Sequence, residues 1–131
     1  MKRIVIKVGS SVLADTESIA NERMFNLVSL IVEARKKHDV ILVSSGAVAA
    51  GYTAVKLNRT VPTSKKVLAS VGQPILMSSY KNKFDIYDVP ISQILLTEED
   101  FDSRVHTQIF QDIINRTLRN DILPIVNENN I

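Results

Sequence analysis

Four short β-branched runs, separated by segments of helix length, constrain this chain more than any other feature. They are Ile4-Val5-Ile6 with Val8, Val40 to Val43, Ile91 to Leu96 and Ile122 to Val126, and the first is apolar without alternation. That pattern belongs to strands covered on both faces. Between them, Met24, Leu27, Val28 and Ile31 follow the i, i+3, i+4, i+7 template of a helix that Asn21 can cap. Ala47 to Gly51 opens a second helix of small residues, and Lys56 to Ser64 reads as a loop ended by Pro62. A third helix is expected from Lys65 to about Phe84, with Leu68, Val71 and Ile75 on its stripe. Gly72 and Pro74 should kink or interrupt it, because proline removes a donor and crowds the preceding turn. Thr97 and Asp100 have the form of a capping box ahead of a helix from Asp102 to Arg119. Ile109, Phe110, Ile113, Ile114 and Leu118 give that helix a wide apolar face. Strand–helix alternation implies an α/β fold: a mainly parallel sheet between helices, in a three-layer αβα sandwich.

The length of 131 residues suits one domain with a real core. The net charge is +2, and Arg35-Lys36-Lys37 is the one short basic run, placed where cations complement a helix C-terminus. A nucleic-acid surface is not expected. The chain has no cysteine, which excludes a disulfide framework and thiolate catalysis and fits a reducing compartment. Its first apolar run breaks at Lys7, and no run approaches the roughly 18 apolar residues that span a membrane. A cytoplasmic protein without a membrane partner is the expectation.

In open α/β sheets, ligands bind beyond the carboxyl ends of the strands. Three of the four strand ends here carry unusual residues: Lys7-Val8-Gly9-Ser10-Ser11, Ser44-Ser45-Gly46-Ala47 and Asn127-Glu128-Asn129-Asn130. Parallel packing would bring all three to one edge. Lys7 interrupts an apolar strand, where a buried unpaired ammonium costs several kcal/mol. It either meets phosphate oxygens, snorkels at the strand end, or pairs with a carboxylate such as Glu128. Gly9-Ser10-Ser11 can turn backbone N–H groups and hydroxyls toward a phosphate, although glycine and serine also make ordinary turns. Neither GxxxxGK[ST] nor GxGxxG is present. Ser44-Ser45-Gly46-Ala47 leads from a strand into a helix, whose free N–H groups suit an anion such as a carboxylate. The Asn-rich segment offers amides that donate to a carboxylate or accept from an ammonium, or it is simply a turn. His38 reads as a helix-end residue and His106 as solvent-facing. No metal site formed by side chains is expected. Glu98, Glu99, Asp100 and Asp102 suit a helix N-terminus.

Taken together, these motifs resemble the glutamate 5-kinases of the amino acid kinase family. The resemblance rests on IVIKVGSSVL, ILVSSGAVAAG, VLASVGQPILM, SQILLT and ILPIVNEN, five motifs in family order from Ile4 to Asn129. It implies an enzyme that transfers the γ-phosphoryl of ATP, with Mg²⁺, to the side-chain carboxylate of L-glutamate, opening proline synthesis. It further implies that Lys7 contacts the transferred phosphoryl and that Gly9 and Ser10 line the phosphates. Ser45, Gly46 and Ala47 would bind glutamate from one side, with Asn127, Asn129 and Asn130 on the other. Asn130 stands where the family pattern has aspartate, so this chain lacks that negative charge. The resemblance covers the first half of the family's kinase domain. The downstream Gly-Asp-Asn-Asp segment, nucleotide-base pocket and Gly-rich lysine loop have no counterpart among these residues. The expectation is therefore an N-terminal substrate and phosphate-loop part, 1–131, without the C-terminal nucleotide-binding part. The alternatives are a non-catalytic half-domain that binds substrate or other chains, or a sister kinase with another substrate. A homo-oligomer, with proline as a feedback inhibitor, is implied as well.

Overall fold

The computed structural model describes residues 2–95 and 103–127. In chain order it contains β1 (Arg3–Val8), α1 (Ser10–Leu13), α2 (Asn21–Arg35), β2 (Asp39–Ser44), α3 (Ala47–Ala54) and α4 (Pro62–Asp85). These are followed by β3 (Ile91–Leu95), α5 (Arg104–Arg119) and β4 (Leu123–Asn127). The four strands form one sheet in the order β1-β2-β4-β3, and every pairing is parallel. The α/β expectation is met.

The strand order explains the placement of the helices. The chain moves the same way across the sheet from β1 to β2 and from β2 to β3, then steps back to β4. Right-handed crossovers put the connections of two forward steps on one face and that of a backward step on the other. Accordingly, α2, α3 and α4 share a large core with Val8, Val40, Leu42, Leu123 and Ile125. On the opposite face α5 supplies Ile114, Phe110 and Leu118 to a smaller cluster with Ile41 and Val126. Arg3 pins that helix to the sheet edge by donating from Nη2 to Asn115 Oδ1 at 2.8 Å.

Several local readings change in the folded chain. Among the described residues β1 lies at the edge of the sheet and is covered on one face only: Arg3, Val5 and Lys7 are exposed on the α5 side. Residue 20 precedes the first helical position, so Asn21 is not a cap; its Oδ1 accepts from Lys83 Nζ at 2.9 Å. The loop after α3 is shorter than expected, because α4 already begins at Pro62, whose missing N–H costs nothing in a first turn. Helix α4 then runs without interruption through Gly72 and Pro74 to Asp85. Its buried stripe is Ala69, Gly72, Leu76, Tyr80 and Phe84 together with Leu68, rather than Leu68, Val71 and Ile75. The wide apolar face of α5 is only partly used. Val105, Ile109 and Ile113 remain 64%, 50% and 47% exposed. Ser103 caps α5, its side chain accepting from the His106 N–H at 3.4 Å. Thr97, Glu98, Glu99, Asp100 and Asp102 lie outside the described residues.

Gly72 is the point on which this arrangement turns. A Cβ there would overlap the carbonyl oxygen of Ala47 and the nitrogen of Gly51, so α3 and α4 meet backbone to backbone. A helix-interior glycine is disfavoured by about 1 kcal/mol relative to alanine, and here the close approach is what requires it.

Candidate active site

The sheet register brings three of the predicted strand ends into one row. Val8 of β1 lies opposite Ser44 of β2, and Ser44 lies opposite Asn127 of β4, which in turn faces Leu95 of β3. Every loop carrying a candidate motif therefore leaves the same edge. Parallel pairing makes this unavoidable, because it aligns all carboxyl ends.

Two of those loops also touch. Ser45 turns back onto β1, donating to the Val8 carbonyl from both its backbone nitrogen and its hydroxyl at 3.2 Å. The next residue, Gly46, adopts φ +142°, a conformation that side-chain-bearing residues rarely enter. A Cβ at Gly46 would stand 3.0 Å from Leu13 Cδ1 and 3.4 Å from Ser10 Cα. The phosphate-loop candidate and the carboxylate-loop candidate are thus packed against one another at Ser10 and Gly46. Their contact is a tertiary event between residues far apart in the chain.

From Gly46 the backbone enters α3, and Ala50 N–H donates to the Gly46 carbonyl at 2.8 Å. The first turn of α3 therefore begins directly at this bend, and the N-terminal amides of a helix favour an anion. Ala47 is buried, and the small side chains of Ala47, Ala49 and Ala50 keep the turn slim. On the β1 side, Gly9 and Ser10 are exposed, and space around Gly9 is open: a Cβ would meet nothing within 4 Å. A bulky polyanion can approach that backbone.

Lys7 sits one residue before the strand end and shares the α5 side of the sheet with Val43. Among the described residues nothing covers this part of the α5 side of β1, so Lys7 is exposed and does not bear the desolvation cost that a doubly covered strand would impose. Asn127 is buried at the end of β4. Glu128, Asn129 and Asn130 lie outside the described residues. His38 accepts from the Lys2 N–H at 3.4 Å after the end of α2, and His106 is exposed on α5, as expected for both.

The sequence reading missed what supports the row from beneath. Tyr80 of α4 is wholly buried, and its Oη lies 2.9 Å from Ser44 Oγ. Burial pushes the Tyr80 phenol up to about 12, with the Ser44 hydrogen bond opposing that rise. A lone tyrosine within the apolar stripe of α4 was the available signal. Gln73 and Gln93, which belong to two further motifs, also meet, Gln73 Nε2 donating to Gln93 Oε1 at 2.9 Å.

A parallel α/β unit with glycine-bearing loops converging on an open strand-end edge is an architecture suited to anionic ligands. The amino acid kinase family profile matches residues 2–131, and the chain belongs to the amino acid kinase family. It is 45% identical over 127 residues to a glutamate 5-kinase of Helicobacter hepaticus, covering 97% of this chain and 48% of that one. A glutamate 5-kinase of Wolinella succinogenes is 44% identical (98% and 50% covered), and one of Leishmania donovani is 42% identical (98% and 49%). The chain spans about half the length of these relatives.

Proposed function

We propose that these residues form the substrate and phosphate-loop part of a glutamate 5-kinase, which moves the γ-phosphoryl of ATP onto the side-chain carboxylate of L-glutamate. The observation that carries this reading is the packing of Ser10 against Gly46, which sets the open backbone at Gly9 beside the first turn of α3. The product is L-glutamyl 5-phosphate, the first intermediate of proline synthesis. Coverage of about half of each relative supports a division in which further chain supplies the nucleotide-base pocket.

The roles proposed for individual residues are those the family resemblance implies. The attacking γ-carboxylate is already ionised at neutral pH, so its transfer needs no general base; positioning and charge cancellation suffice. In this reading Ser45, Gly46 and Ala47 bind the substrate from one side, Gly46 and Ala47 through their backbone amides, with Asn127 at the neighbouring strand end and Asn129 and Asn130 on the other side. Gly9 and Ser10 line the phosphates, and Lys7 offsets charge that develops on the transferred phosphoryl. Mg²⁺ bound to ATP would supply further charge neutralisation. Among the described residues no group of three acidic, histidine or cysteine side chains could hold the ion, so no step is assigned to it.

A cytoplasmic location, self-association and inhibition by proline belong to the same proposal. Among the described residues no helix is long and apolar enough to cross a membrane. The test is glutamate-dependent ADP release from ATP–Mg²⁺, by the chain alone and by a version completed with the second half of a relative. Lys7→Ala in the active form should lower turnover about a hundredfold or more, the scale of losing one transition-state donor. An unchanged turnover number would remove Lys7 from the mechanism.

A further inference from the structure

Helix α4 reaches the candidate site at two points without contributing any residue to its surface. The first is Gly72, against which the Ala47 carbonyl packs. The second lies two turns further along, where Tyr80 meets Ser44. Ser44 is 4% exposed and Tyr80 0%, so neither hydroxyl has water as an alternative partner. Each satisfies the other at 2.9 Å. Phe84 stacks on the Tyr80 ring with centroids 6.3 Å apart, which limits the ring's freedom and makes Oη a fixed point.

A phenylalanine at position 80 and an alanine at position 44 would fill the same core with no polar obligation. The hydroxyl pair sits instead under the central member of the strand-end row, between Val8 and Asn127. Ser44 is also the last residue before the chain bends at Ser45 and reverses through Gly46 at φ +142°. Any rotation of the Ser44 peptide would be passed directly to the amides of that turn. Leaving either hydroxyl unpaired in the core is costly, so the pair resists such rotation.

We propose that Tyr80 is a positioning residue for the acidic-substrate site: its buried hydroxyl holds Ser44, and through Ser44 it aims the Ser45–Gly46–Ala47 turn at the substrate carboxylate. The role in substrate binding rests on the glutamate reading given above; the mechanical coupling does not. Tyr80→Phe keeps the ring and removes only the hydroxyl, and Ser44→Ala removes its partner from the other side.

Amide hydrogen exchange of the 131-residue chain, followed by NMR, reads the coupling without any catalytic assay. The Ser45 amide (bonded to the Val8 carbonyl) and the Ala50 amide (bonded to the Gly46 carbonyl) report on the turn, and the amide of Leu42, fully buried in β2 between β1 and β4, reports on the core. In Tyr80→Phe and in Ser44→Ala, exchange at Ser45 and Ala50 should accelerate at least tenfold more than at Leu42. In the active kinase form, Tyr80→Phe should raise the KM for glutamate about five- to tenfold and leave the KM for ATP unchanged. The Ser44→Ala/Tyr80→Phe double variant should recover thermal stability but not the KM, which separates aiming from mere support. Exchange that rises by the same factor at all three amides would overturn the proposal, whatever the kinase assay shows. Differential exchange with ATP turnover by the completed form that does not depend on glutamate would keep the coupling and refute the glutamate reading alone.

Discussion

Replacing Gly72 by alanine sets two physical effects against each other with opposite signs. Helix propensity alone favours the change, since alanine is better than glycine in a helix interior by about 1 kcal/mol. Gly72 lies well inside α4, ten residues past its start at Pro62, so the full propensity gain should apply. Packing says the reverse. The new methyl would overlap backbone atoms, Ala47 O and Gly51 N, which cannot rotate aside as a flexible side chain could. To admit it, α3 must back away from α4 by more than an ångström. That separation loosens contacts made by Ala47, Ala50, Leu68 and Ala69, all buried at or near the crossing. Overpacking of this kind costs about 1–3 kcal/mol, and a backbone-on-backbone clash belongs at the upper end. The expected net effect is a destabilisation of about 2 kcal/mol. For a chain of 131 residues that corresponds to a fall in Tm of about 8 °C. Thermal unfolding followed by far-ultraviolet circular dichroism measures it, with Ser78→Ala on the exposed face of the same helix as the propensity control. A Gly72→Ala variant as stable as the parent, or more so, would refute the close approach and restore the propensity argument.

Two further outcomes are expected. Because Tyr80 holds its proton up to about 12 while an unfolded tyrosine titrates near 10, the folded chain binds the extra proton in that window. Its contribution to stability is complete below about pH 10 and is lost as pH rises toward 12, at up to about 1.4 kcal/mol per pH unit. Urea unfolding of wild type and Tyr80→Phe across pH 9 to about 12 isolates this contribution as the difference between the two curves; parallel curves would rule it out. At Asn130, which lies outside the described residues, an aspartate should lower the KM for glutamate several-fold by pairing with the substrate ammonium. Steady-state kinetics in glutamate check this, and an unaltered KM would show that the position does not face the ammonium.

The strands, and the edge at which their carboxyl ends gather, were legible in the sequence alone. β-Branched runs have few alternatives to a buried parallel sheet, and that sheet aligns Val8, Ser44 and Asn127 at one edge whatever the details of packing. Lys7, Gly9, Ser10, Ser45, Gly46 and Ala47 stood out as site candidates because they gather at the ends of apolar strands, although each also has a plainer structural reading. The burial of individual faces was not legible. Periodicity describes what an element could bury, and the neighbours present decide what it does bury. Among the described residues β1 therefore lies at the edge of the sheet with Lys7 exposed, and α5 leaves Val105, Ile109 and Ile113 uncovered. Helix α4 shows the limit most clearly. Glycine and proline at positions 72 and 74 looked like an interruption because local rules weigh only the helix's own hydrogen bonds. In the folded chain, Gly72 is where α3 presses its backbone against α4, and Tyr80 is where α4 grips the end of β2. Both depend on contacts between residues more than 20 positions apart, and no local pattern encodes such contacts.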